Sequence, residues 1–107
     1  MHILIARFNY DGMSEAELLA AATDLAPSFS GIPGCFEKTW LIDGAARTAG
    51  GVYKFTDREA VESYLASELW EGVKSTPQFT NLKTEIHGVM EAATTITHGM
   101  PAAAAAR

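Results

Sequence analysis

This chain predicts an α+β fold, a four-stranded antiparallel sheet with two helices on one face. Three observations carry that expectation. Two β-rich runs, Cys35 to Asp43 and Val52 to Thr56, are joined by a connection too short for a crossover helix, so they pair as an antiparallel hairpin. Capping signatures at Ser14 to Glu17 and at Thr56 to Glu59 place a helix on each side of that hairpin. A strand before the first helix and another after the second complete the order βαββαβ, the ferredoxin-like arrangement.

Each element has its own warrant. Ile3 to Phe8 is a short apolar run closed by the turn residues Asn9, Asp11 and Gly12. Met13 and Leu18 stand where a hydrophobic staple places them around the Ser14 cap. Leu18, Ala22, Leu25 and Phe29 then keep helical spacing, and Pro27 ends or kinks the helix. Pro33-Gly34 is a turn before the first hairpin strand, Asp43-Gly44 breaks that strand, and Gly50-Gly51 opens the next. After the cap at Thr56, Val61, Tyr64, Leu65 and Leu69 form the stripe of one helix, with Gly72 and Pro77 as its stops. Leu82 to Glu91 is the last strand. Residues 92–107 lose periodicity and finish in an alanine run, so the domain is expected over 1–98 and a low-complexity tail over 99–107.

Composition narrows the function classes. The 107 residues make one domain, 48% hydrophobic and 20% charged, which is the balance of a globular protein. A net charge of -5 with scattered basic residues disfavours nucleic acid as a partner. The single cysteine, Cys35, permits no internal disulfide and suits a reducing cytoplasm. No apolar run reaches the roughly 20 residues that span a bilayer, and the N-terminus lacks the basic region and cleavage site of a signal peptide. The expectation is a cytoplasmic protein with no membrane partner.

The strands also carry apolar residues on both faces. Ile3 and Ile5 oppose Leu4 and Ala6, Phe36 and Trp40 oppose Cys35 and Leu41, and Val52 opposes Tyr53 and Phe55. Two helices cover one face only, so a second copy of the chain is expected to cover the other in a homodimer.

Pro33-Gly34, Lys38, Trp40, Ala49-Gly50-Gly51, Tyr53, Phe55-Thr56-Asp57 and Tyr64-Leu65, with Phe8 and Gly12 around the first turn, form an ordered set. In that set the chain resembles the YdhR-type mono-oxygenases, a branch of the dimeric α/β-barrel superfamily that also holds the antibiotic-biosynthesis mono-oxygenases. The resemblance covers roughly residues 3 to 98, with a length difference near Trp70 to Gln78. It implies a sheet-to-sheet homodimer and a pocket between sheet and helices in each subunit. It also implies oxygenation of a small aromatic, phenolic or quinol-like molecule without metal or flavin.

Candidate site residues are few. Trp40, sharing a face with Lys38 and Phe36, is either core or dimer packing or a flat wall for an aromatic substrate. Tyr53 and Tyr64 are core aromatics or hydroxyl donors to a substrate oxygen. Lys38 either lines a pocket for an anionic substrate or pairs with Glu37 or Glu85. His87 is the residue best typed for acid–base work, against the reading of a hydrogen-bonded structural histidine. Trp70 falls opposite Val61 on a continuous helix, hence an exposed aromatic, a subunit contact or a pocket lid. One cysteine and three dispersed histidines give no metal-ligand spacing, and no dinucleotide fingerprint is present, so no cofactor is expected.

The leading expectation is therefore a cofactor-independent mono-oxygenase that binds a small apolar or aromatic molecule. The competing one is a non-catalytic dimeric module for such a ligand. A third is a haem-degrading mono-oxygenase, which Asn9 and Trp70 favour and the lack of a helix histidine disfavours.

Overall fold

The computed structural model describes residues 1–101. β1 (His2–Tyr10), α1 (Glu15–Phe29), β2 (Cys35–Asp43), β3 (Thr48–Phe55), α2 (Arg58–Leu65), α3 (Glu68–Lys74), β4 (Phe79–Gly88) and α4 (Glu91–Ile96) follow in order. The strands form one antiparallel sheet in the order β2-β3-β1-β4. This is the ferredoxin-like α+β fold expected from the sequence, with the second helix divided and a short helix added after β4. Among the described residues no helix is long and apolar enough to cross a membrane. Residues 102–107, most of the expected tail, lie outside the described residues. The Gly99 carbonyl accepts a hydrogen bond from Lys54 at 3.2 Å, and Pro101 is buried.

Local chemistry explains the elements. Ser14 and Glu17 exchange backbone and side-chain bonds at 3.0 and 3.1 Å, closing the capping box of α1. The hairpin turn is held by the Asp43 carboxylate, which accepts from the Ala46 amide at 3.1 Å. Gly34 sits at φ +77, and a Cβ there would lie 2.7 Å from the Ala60 methyl, so the turn into β2 and the approach of α2 both require glycine.

Three expectations are corrected. Pro27 does not end α1; it lies within the last turn, and the helix continues to Phe29. The cap of α2 is Asp57 rather than Thr56, its carboxylate accepting from the Ala60 amide at 2.8 Å. The long second helix breaks after Leu65, and Gly72 lies inside α3 instead of ending it. The break is caused by Ser67, whose hydroxyl donates to the Tyr64 carbonyl and accepts from the Trp70 amide at 3.3 Å. A fresh helix start shifts the phase, so Trp70 turns inward and is 4% exposed.

The core lies between the sheet and the helices. Leu4, Ala6, Tyr53 and Phe55 of the sheet meet Phe29, Val61, Tyr64 and Trp70 of the helices. Burying each large apolar side chain contributes roughly 1.5–3 kcal/mol before conformational entropy is set against it. The opposite face carries Ile3, Ile5 and Val52, half-buried, with Leu41 exposed beside them. Arg7, Lys83, Glu85 and His87 form a charged margin on that same face.

Candidate functional site

The site is made by the way α1 meets the sheet. Its buried residues are Leu18 near one end and Phe29 at the other. Between them Ala21 and Ala22 are too small, and Leu19 and Leu25 too exposed, to fill the space above β2 and β3. The result is an apolar cavity of about 130 Å³, open to solvent, bordered by α1, the hairpin and Trp70 of α3. That volume is close to the roughly 150 Å³ of an engineered apolar cavity that accepts benzene, so the space suits one aromatic ring.

Strand register places the polar equipment. Lys38 pairs with Tyr53 and Trp40 with Gly51, so all four residues sit on the helix-covered face of the hairpin. A Cβ at Gly51 would stand 2.8 Å from Lys38 Cε, which means that the lysine stem crosses the gap glycine leaves. The Lys38 ammonium ends among three rings. Nζ is 3.4 Å from the Trp40 centroid, 3.8 Å from Phe29 and 4.6 Å from Tyr53. Trp40 meets Phe29 edge-on at 5.1 Å and remains 39% exposed at the rim.

The pairing expected for Lys38 does not form. Glu37 holds Lys54 at 3.0 Å, and Glu85 holds His87 at 3.5 Å. Among the described residues no carboxylate pairs with Lys38, and burial pulls its pKa down to about 7. The ring faces, which attract a cation, act in the other direction. Below its own pKa the amine is thus a charge held in an apolar site; above it, a free base.

Tyr53 and Tyr64 form a hydrogen-bonded pair at 2.9 Å between their hydroxyls. Burial drives both phenols upward, Tyr64 to about 12 and Tyr53 further, so both stay protonated at neutral pH. Tyr53 lines the cavity, while Tyr64 stands behind it in the core. Burial also raises the Cys35 thiol, which donates to the Glu37 carbonyl at 3.5 Å and is therefore a weak nucleophile. Among the described residues no three His, Cys, Asp or Glu side chains are grouped to hold a metal ion.

The structure thus gathers Lys38, Trp40 and Tyr53 around one space, with Tyr64 one bond removed. It does not bring His87 to them. His87 follows Ile86, which packs on the core, so strand alternation turns it to the helix-free face, where its side chain is 61% exposed. Sequence reasoning missed Phe29 and Gly51 as parts of the site. Gly50-Gly51 does not open the second hairpin strand as expected: β3 begins at Thr48 and sets Gly51 mid-strand opposite Trp40, and nothing linked Phe29 to Lys38 before the fold brought them together.

A stability test follows from the unpaired amine. Its unfolded pKa is near 10.4 and its folded pKa is about 7, so between those values the unfolded chain binds the additional proton. Stability therefore rises with pH across that window. Lys38→Met removes the buried charge, and its denaturant midpoint is expected to exceed that of the parent at pH 7 by more than at pH 10. An equal difference at both pH values would show that the amine is not desolvated.

The family model described as "Putative mono-oxygenase ydhR" matches residues 3–100. No curated protein matches the sequence. Among solved structures, a protein of unknown function from Nitrosomonas europaea, NE2512, superposes with a TM-score of 0.70 at 16% identity, covering 83% of this chain and 88% of that one. SnoaB, a cofactor-independent oxygenase from Streptomyces nogalater, gives 0.65 at 18% identity over 82% and 91%. MhuD carrying manganese protoporphyrin IX gives 0.65 at 15% identity over 84% and 95%. At these identities the structures attest a shared fold.

Proposed function

Since the chain belongs to the ydhR mono-oxygenase family, we propose that it oxygenates a small phenol, enol or quinol in the aromatic cavity, without a resident metal, haem or flavin. The observation that carries this reading is the unpaired Lys38 amine among Phe29, Trp40 and Tyr53. A cofactor-free oxygenation needs a substrate anion that can pass electrons to oxygen, hence a base beside the ring and a cation to hold the anion. Lys38 supplies both in turn. Its neutral amine takes the hydroxyl proton, and the resulting ammonium faces the phenolate. Trp40 and Phe29, set edge to face, wall the ring, and the Tyr53–Tyr64 pair keeps the far wall protonated.

For a phenol open at the para position the balance closes. The phenolate gives one electron to dioxygen, the two radicals join as a carbon–oxygen bond, and the hydroperoxide loses water to leave a quinone. One oxygen atom enters the product, the other leaves as water, and the substrate supplies all electrons. This reading moves the acid–base role from His87 to Lys38. SnoaB, described as cofactor-independent, supports it by analogy of fold only. The porphyrin reading gains nothing from the cavity, which no histidine borders among the described residues.

Oxygen uptake with 1-naphthol and other phenols open at the para position, with and without chelator, tests the proposal. One dioxygen consumed per quinone formed, with no hydrogen peroxide released and no effect of chelator, is the expected result. Turnover that appears only after addition of iron or reduced flavin would refute it, and ligand binding without uptake would favour the non-catalytic module.

We further infer that a second copy covers Ile3, Ile5, Val52 and Leu41 on the helix-free face. Light scattering should then give twice the chain mass, and Ile5→Asp should halve it, because the dimer would otherwise bury an unpaired carboxylate. A monomeric parent protein would remove the dimer from the account.

A further inference from the structure

We propose that Lys38 captures small aromatic aldehydes and ketones covalently, forming a Schiff base within the cavity. The proposal concerns a different activity from oxygenation and needs no oxygen. It rests on how this amine differs from every other in the chain. Lys54 is tied to Glu37 at 3.0 Å, Lys74 to Glu71 at 2.9 Å, and the N-terminal amine to Glu91 at 2.9 Å. Lys83 is exposed on β4. Lys38 alone combines an apolar enclosure with no carboxylate partner among the described residues, the setting in which a lysine becomes a nucleophile at neutral pH.

The walls choose the partner. Three aromatic faces surround Nζ, and the space accommodates about one ring, so an aryl carbonyl places its C=O beside the amine. In the reaction the Nζ lone pair adds to the carbonyl carbon and the carbonyl electron pair moves to oxygen, which takes a proton. The carbinolamine then expels that oxygen as water and leaves C=N. Amine plus carbonyl gives imine plus water, with no change of oxidation state. An apolar enclosure favours the step that releases water. Burial lowers the amine's pKa to about 7, so a far larger share of Lys38 is free at pH 7 than the roughly one in two thousand or fewer of an ordinary lysine.

The probe is 1-phenylbutane-1,3-dione, whose imine rearranges to a conjugated enaminone with strong near-ultraviolet absorbance. Added anaerobically to the full chain at pH 7, it should give an absorbance that saturates at one equivalent. Benzaldehyde followed by borohydride, with peptide mapping, should place the adduct on Lys38. The Lys38 adduct should form at least about tenfold faster than any at Lys54, Lys74 or Lys83. Lys38→Met and Lys38→Arg should abolish it while keeping the circular-dichroism spectrum of the parent. An absent signal, an adduct spread over the surface amines, or one that persists in both variants would overturn the proposal. Since oxygen is excluded, these outcomes are independent of whether the protein is an oxygenase.

Discussion

Gly50→Ala should abolish the native fold, or cost more than about 3 kcal/mol if the chain still folds. A Cβ at this position would lie far inside contact with the Ala6 carbonyl oxygen, 2.9 Å from its carbon and 3.0 Å from Arg7 Cα. All three atoms are backbone of the neighbouring central strand, and neither strand can withdraw without breaking the β1–β3 ladder. Gly51→Ala is the control. Its Cβ meets Lys38 Cε at 2.8 Å, the far part of a flexible side chain, so the fold should survive while the lysine is displaced. Urea unfolding followed by circular dichroism checks both. Equal stability for the two variants would mean that the strand approach at Gly50 is not the constraint described here.

Lys38→Met should lower kcat/KM for phenol oxygenation by roughly 10²–10⁴, the usual contribution of a positioned acid–base group. The loss should fall on kcat more than on KM, because the aromatic walls that bind the ring remain. Since the reactive form is the neutral amine, kcat/KM of the parent should climb as pH rises toward about 7 and level off beyond it. His87→Ala should leave both the rate and that pH profile unchanged, as its ring lies across the sheet from the cavity. A profile without an inflection near neutrality, or a large loss in the His87 variant, would remove Lys38 from the base role.

Much of this arrangement was legible before the structure. Ser14 and Glu17 announced α1 because a capping box is a local event, complete within four residues. Asp43-Gly44 marked the turn for the same reason. What stayed hidden depended on departures from regular periodicity. The irregular pairing between Cys35 and Glu37 upsets alternation at the start of β2, so counting by twos from Phe36 is unsafe. Ser67 restarts a helix, and a stripe counted from Val61 without that restart puts Trp70 on the wrong side. The side of the sheet His87 occupies was in principle readable from Leu82 and Ile86, which share the opposite parity and pack on the core. The lysine cage was not readable, because Phe29, Trp40 and Tyr53 come from three elements and only their packing unites them.

The two-point anchorage of α1 separates what holds the domain together from what decides its guests. Leu18 and Phe29 fasten the helix, while Leu19, Ala21, Ala22 and Leu25 border the space beneath it. Exchanging either alanine for a larger or a polar residue would reshape that space while leaving both fastenings in place. Divergence within such a scaffold can therefore proceed by retailoring one helix face, and copies of the gene could acquire new ligands through one or two substitutions without first losing the fold.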